Sequence, residues 1–174
     1  MKKDIHYWSE IIIDLAIEED LSNQSDVTSD NILLEDVNVK FSIRARQDMI
    51  LCGSLFVATI FNKIATRYEK NNITFEENFS DGAAVKTGEV IIHGVGNARL
   101  IFASERIILN LLQHLSAIST KTNKFIKKIG DSKTKILDTR KTIPGFRHLH
   151  KYAIRIGGGY NHRFSLFDAI LIKD

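Results

Sequence analysis

Residues 137–174 read LDTRKTIPGFRHLHKYAIRIGGGYNHRFSLFDAILIKD. Three short apolar or mixed runs stand out, each closing on polar or charged residues. Ile136 and Leu137 lead into Asp138, Thr139, Arg140 and Lys141. Tyr160 and Asn161 lead into His162 and Arg163, and residues 169–172 lead into Lys173 and Asp174. Between the first two runs lies a segment of helical period, with Phe146, Leu149, Tyr152, Ala153 and Ile156 on one face. Strand, helix, strand, with charges where strands end, is the pattern of α/β barrels and open α/β sheets. Such folds bury apolar strand residues and present their chemistry at the strands' C-terminal ends.

The cations that those strand ends gather are Arg140, Lys141, His162, Arg163 and Lys173. So many donors at one mouth repel one another unless an anion is bound, so a ligand with two or more carboxylates, or with phosphates, is the expected occupant. Arginine suits bidentate grip of a planar carboxylate, while lysine acts as a point charge. Asp138 and Asp174 are expected to orient these cations. Gly157, Gly158 and Gly159 do not form a phosphate loop: they match neither GxGxxG nor GxxxxGK[ST], and the helix precedes them. They read as a helix stop and a tight entry into the second strand. No H-E-x-x-H, paired cysteine ligands or G-x-S-x-G occurs, so the sequence offers nothing to a zinc or serine-hydrolase reading.

The rest of the chain sets the frame. Its 174 residues suffice for one or two small domains, and 44% hydrophobic with 26% charged residues is ordinary for a globular protein. No apolar run approaches the ~18–20 residues of a membrane span. MKKDIHYWSE lacks the apolar region of a signal peptide, so none is expected. Cys52 is the single cysteine, which excludes an internal disulfide and fits a reducing cytoplasm; inside MILCGSLF it reads as a core filler. A net charge of +3 suits an anionic ligand without pointing to nucleic acid.

In chain order, residues 5–19 read as an amphipathic helix capped by Asp4, with Ile5, Trp8, Ile11, Ile12 and Leu15 inward. Residues 21–30 read as a polar loop. Residues 39–46 alternate as a half-buried strand, 54–68 form a second helix after Gly53, and 72–79 another strand. Asp81-Gly82 is a turn, and residues 85–102 hold two or three short strands. Together these predict an α+β domain with an antiparallel sheet. Ser104 is the expected N-cap of a long helix whose buried stripe is Ile108, Leu111, Leu112, Leu115, Ile118, Phe125, Ile126 and Ile129, and which Gly130 ends. On its other face Arg106, Asn110 and Gln113 read from pattern alone as a solvated surface. The domain division is placed within this helix, giving 1–115 and 116–174.

DTRKTIPGFR, KYAIRIGGGYNHR and LFDAILIKD, with ASERIILNLLQHLSAIST and the early SDVTS, resemble the quinolinate phosphoribosyltransferases. The resemblance runs through essentially the whole chain. It implies transfer of phosphoribose from phosphoribosyl pyrophosphate (PRPP) to quinolinate with loss of carbon dioxide, giving nicotinate mononucleotide and pyrophosphate in NAD biosynthesis. It implies an N-terminal α/β sandwich followed by the first strands of an α/β barrel, assembled as a homodimer or larger oligomer. Substrate-binding roles follow for Arg106, Arg140, Lys141, His162, Arg163 and Lys173, with Lys141 and Lys173 also catalytic, near the pyrophosphate oxygens. Arg106 is implied to enter the active site of the partner subunit, against its reading as a solvated residue. Mg²⁺ is implied with PRPP, its protein ligands expected beyond residue 174.

Only three barrel strands can be counted before the sequence stops, so a truncated barrel is expected, with Ile170, Leu171 and Ile172 as an exposed edge strand. Two other readings stay open. One is an inactive remnant that binds anions or holds a dimer. The other is a related barrel protein associated with molybdenum transport.

Overall fold

The computed structural model describes residues 4–34, 37–69 and 73–172. Asn72, Lys173 and Asp174 therefore lie outside the described residues.

Helix α1 (Ile5–Leu21) begins where Asp4 accepts a hydrogen bond from the Tyr7 N–H at 3.0 Å. Its buried residues are Ser9, Ile12, Ile13, Ile17 and Leu21, while Leu15 is 61% exposed. The inward face is thus rotated toward Ile13 and Ile17 relative to the expected stripe, because the α1 sequence is apolar on more than one side. The expected polar loop contains a short helix, α2 (Val27–Ile32), capped by Asp26. Tertiary contacts hold it: Arg99 pairs with Asp30 at 3.1 Å and donates to the Leu33 carbonyl at 2.6 Å.

Strands β1 (Asn38–Arg44), β2 (Met49–Ile50), β3 (Ile73–Glu77), β4 (Ala84–Val85) and β5 (Val90–Asn97) form two antiparallel sheets, ordered β1-β5-β3 and β2-β4. Gly94 faces Phe41 on one side and Phe75 on the other. A Cβ at Gly94 would sit 2.8 Å from both side chains, so only glycine lets the two rings close over the central strand. Phe61 of helix α3 (Val57–Arg67) packs on both rings, at 5.8 and 5.2 Å between centroids. A 3₁₀ turn (Ser54–Phe56) leads into α3. Asp81, read from sequence as a turn residue, caps that turn by accepting from the Gly53 and Ser54 N–H groups.

Helix α4 (Ala98–Ile129) starts six residues before Ser104. Asn97 is the cap, its side chain accepting from Arg99 and Leu100, so residues 98–102 are helical rather than strand. Ser104 is fully buried and turns back to the Leu100 carbonyl. Leu111, Leu112, Leu115, Ile107 and Ile108 fill the core with Phe56, Ile60, Ile64 and Ile92. Phe125 is 48% exposed, because α4 outruns the sheet it packs on. Hydroxyls on α4 stand in for a missing strand. Thr120 accepts from the Ile50 N–H, Ser116 from the Cys52 N–H, and Ser119 donates to the Ile50 carbonyl. Cys52 is free and buried, as a core filler should be. Among the described residues no helix is long and apolar enough to cross a membrane.

Helix α5 (Arg147–Ile156) lies on α4 and α1. Gly157 ends α5, and a Cβ there would meet the Ser119 carbonyl and come within 2.7 Å of Thr122 Cβ, so α5 touches α4 backbone to backbone. Gly158 then turns the chain at φ +90. The two expected barrel strands on either side of α5 are reduced to one parallel bridge, Leu137 to Tyr160. The third run does not form a strand over its described residues: Ile170 and Ile172 are almost wholly exposed and no bridge pairs them. Among the described residues no neighbouring strand completes a ladder with this apolar run.

Candidate active site

The bridge fixes the site's register. Asp138 N–H donates to the Tyr160 carbonyl at 3.0 Å, and Tyr160 N–H to the Ile136 carbonyl at 2.9 Å. Just past this bridge the two segments stay in contact, the His162 N–H donating to Asp138 Oδ1 at 2.9 Å. The structure thus brings together two of the charge clusters singled out in the sequence.

Arg140, His162 and Arg163 are half-buried there. The Nε atoms of Arg140 and Arg163 are buried and have no protein acceptor. Arg163 spends one Nη1 bond on the Ala169 carbonyl, at 2.8 Å, which curls the 164–169 segment around its guanidinium. Lys141 is exposed, and among the described residues no carboxylate pairs with its ammonium group. Guanidinium nitrogens without a protein acceptor have the chemistry to donate to an anion's oxygens. Lys173 falls outside the described residues. Arg106 lies apart from this cluster in sequence, exposed in the third turn of α4 with Asn110 and Gln113, also exposed.

Asp138 does not orient Arg140 or Lys141 as expected. Its Oδ1 accepts from Lys151 Nζ at 2.6 Å and from the His162 N–H at 2.9 Å. Lys151 also donates to the His162 carbonyl at 2.8 Å and stands 4.8 Å from the Phe164 ring centre. With its amide oriented to satisfy the network, Asn161 donates to Asp138 Oδ2 at 2.8 Å and to the Lys151 carbonyl at 3.0 Å. Lys151 is the residue that sequence reasoning missed. It lies off the apolar stripe of α5 and so reads as a solvated charge, yet only 1% of its side chain is exposed. The available signal was Asp138 itself, a carboxylate at a strand end with a lysine thirteen residues downstream on the connecting helix.

Further bonds join the site's loops. Arg147 donates to Thr142 Oγ1 at 3.4 Å and to the Phe164 carbonyl at 3.3 Å, and Asp168 accepts from the Phe164 N–H at 2.8 Å. Tyr152 of α5 donates to Asp81 at 2.7 Å, tying the site's helix to the first hundred residues. Burial, then that carboxylate, pushes the Tyr152 hydroxyl's pKa up, so it stays a donor at any ordinary pH. Two imidazoles, His114 of α4 and His150 of α5, meet Nε2 to Nε2 at 2.8 Å, and His148 stacks on Trp8 of α1 at 4.4 Å.

The quinolinate phosphoribosyl transferase N-terminal domain model matches residues 26–116, and the C-terminal domain model matches residues 118–174. The chain belongs to the quinolinate phosphoribosyltransferase family. It is 40% identical over 149 residues to the probable nicotinate-nucleotide pyrophosphorylase (carboxylating) of Bacillus subtilis, covering 86% of this chain and 50% of that protein. Its identity to the protein of the same description from Methanocaldococcus jannaschii is also 40%, over 151 residues, with the same shares covered. The solved nicotinate-nucleotide pyrophosphorylase of Francisella tularensis superposes with a TM-score of 0.88 at 41% identity, over 98% of this chain and 58% of that one. The chain therefore spans about half the length of the curated relatives it matches. The fold is that of the family: a mixed helix-and-sheet domain running into the start of a barrel.

A magnesium ion accompanies PRPP by family expectation. Among the described residues no group of three or more His, Cys, Asp or Glu side chains is placed to hold a metal ion. Asp138 is already engaged by Lys151, His162 and Asn161, and Asp168 accepts from the Phe164 N–H. These residues do not fit a Mg²⁺ cage.

Proposed function

We propose that this chain supplies the quinolinate-recognising part of a quinolinate phosphoribosyltransferase, which transfers phosphoribose from PRPP to quinolinate and releases carbon dioxide and pyrophosphate. The observation that carries the reading is the pair of buried, acceptorless Nε atoms on Arg140 and Arg163. Quinolinate has two adjacent carboxylates, and two guanidinium forks suit two planar carboxylates. His162 adds a donor beside them. The ring carboxylate that leaves as carbon dioxide deposits its electron pair on the ring, and nearby cations stabilise that density. Lys141, exposed and unpaired, is the point charge for the phosphate side, and Lys173 is proposed to act with it.

The remaining parts of the reading rest on placement. We divide the chain at 115/116, inside α4, which runs unbroken from the sandwich toward the barrel. Arg106 is proposed to serve a second copy of the chain in a homodimer, supported by its exposed helix face. A cytoplasmic setting is supported by the presence of a single cysteine, which is buried.

Chromatographic detection of nicotinate mononucleotide after incubation with quinolinate, PRPP and Mg²⁺ tests the reading. Product formation assigns the whole reaction to the chain. Quinolinate binding without product assigns it recognition alone, and absence of both overturns the proposal.

A further inference from the structure

We propose that Asp138 and Lys151 are positioning residues that pin the His162 backbone from both sides and thereby lock the His162 ring as a neutral Nε2–H donor. The inference rests on the reading above that His162 faces the bound dicarboxylate. The geometry is specific. The His162 N–H belongs to the peptide before its Cα, and Asp138 Oδ1 takes that hydrogen at 2.9 Å. The His162 carbonyl belongs to the peptide after it, and Lys151 Nζ takes that oxygen at 2.8 Å. The two gripping atoms are themselves bonded at 2.6 Å, so φ and ψ of His162 are set by one ion pair. Asn161 occupies the other Asp138 oxygen, leaving the carboxylate no freedom to turn.

The second peptide does one thing more. Its N–H, that of Arg163, donates to Nδ1 of the His162 ring at 2.7 Å. A backbone N–H is always a donor, so Nδ1 carries the lone pair and the ring's proton is on Nε2. Protonating Nδ1 would set two N–H groups against each other. His162, counted above among the cations, is thus built as an uncharged donor. That lessens the mutual repulsion of Arg140, Lys141 and Arg163 while still giving a carboxylate oxygen a hydrogen bond. A buried Lys–Asp pair contributes little net stability over apolar residues of the same volume, so its retention beside a binding residue fits a role in setting geometry.

The test is a long-range ¹H–¹⁵N correlation spectrum of the ¹⁵N-labelled chain at neutral pH, with His162 assigned through His162→Gln. The expected pattern is a single tautomer, unprotonated at Nδ1 and protonated at Nε2. An Nδ1–H or averaged pattern overturns the proposal. In an Asp138→Asn/Lys151→Met double variant, whose fold is checked by circular dichroism, the two ring-nitrogen shifts should move toward each other. Its quinolinate affinity should fall about tenfold, the lower end of the effect seen when residues that orient metal-binding histidines are lost. A folded double variant that keeps the single-tautomer pattern overturns the positioning role. If that variant does not fold, Asp138→Asn alone reads the same signature. Failure of quinolinate to bind the unaltered chain would sink the functional reading while leaving the tautomer result standing.

Discussion

Lys151 Nζ lies 2.6 Å from Asp138 Oδ1, with both side chains 1% exposed, so a helix residue and a strand-end residue form one buried ion pair beneath the candidate site. Removing one partner of such a pair leaves a charge in a dry interior, whereas removing both does not. Lys151→Met is therefore expected to cost about 3–5 kcal/mol, and the double change with Asp138→Asn distinctly less. Urea denaturation of the three chains measures this. A loss below about 1 kcal/mol for Lys151→Met would mean that water reaches the pair.

Acid should loosen the packing of α5. Burial, reinforced by the charges of Arg147 and Lys151, holds His148 below the usual histidine value of 6.5. Burial, then His114, does the same to His150. The folded values lie below the unfolded one, so as pH falls the unfolded chain takes up protons first. The stability that these two groups contribute is present above pH 6.5 and is lost as pH falls through their folded values. The melting temperature should drop between about pH 7.5 and about pH 5.5, and a His148→Phe/His150→Gln chain should show a shallower drop. An equal drop in that chain would place the acid sensitivity elsewhere.

The two-subunit proposal has a complementation test in binding. Arg106→Ala and Lys141→Ala chains should each bind quinolinate or PRPP poorly. After mixing and exchange, half the dimers are mixed, with one of two sites intact, so about a quarter of the full site count should return. No return, with exchange demonstrated by mass spectrometry, would leave Arg106 acting within its own chain or not at all.

Much of this architecture was legible in the sequence. The period-2 run beginning at Val39 is β1, and the period-3.6 runs after Ile5, Ser54 and Phe146 are helices, because each buries a single face. Asp4 starts α1 with its side-chain cap, and Gly130 ends α4 at the positive φ that glycine favours. The segments after Leu137 and Tyr160 do meet, because one parallel bridge sets them side by side. What was not legible depended on distant partners. Helix α2 forms because Arg99 reaches back to Asp30 and Leu33, and α4 starts at Ala98 because Asn97 outcompetes Ser104 as a cap. Lys151 was invisible because a lysine off an apolar stripe is ordinarily solvated, and only the partner Asp138 makes its burial possible.

The most direct test of the account is calorimetric titration of quinolinate, and separately of nicotinate, into the unaltered chain and into Arg140→Lys. If Arg140 and Arg163 grip adjacent carboxylates, quinolinate binds the unaltered chain markedly more tightly than nicotinate, which has one carboxylate. Arg140→Lys, which keeps the charge and loses the fork, should then weaken quinolinate binding by about 1–3 kcal/mol. Equal affinity for the two acids, or unchanged affinity in Arg140→Lys, would contradict the claim that these half-buried arginines are built for a dicarboxylate.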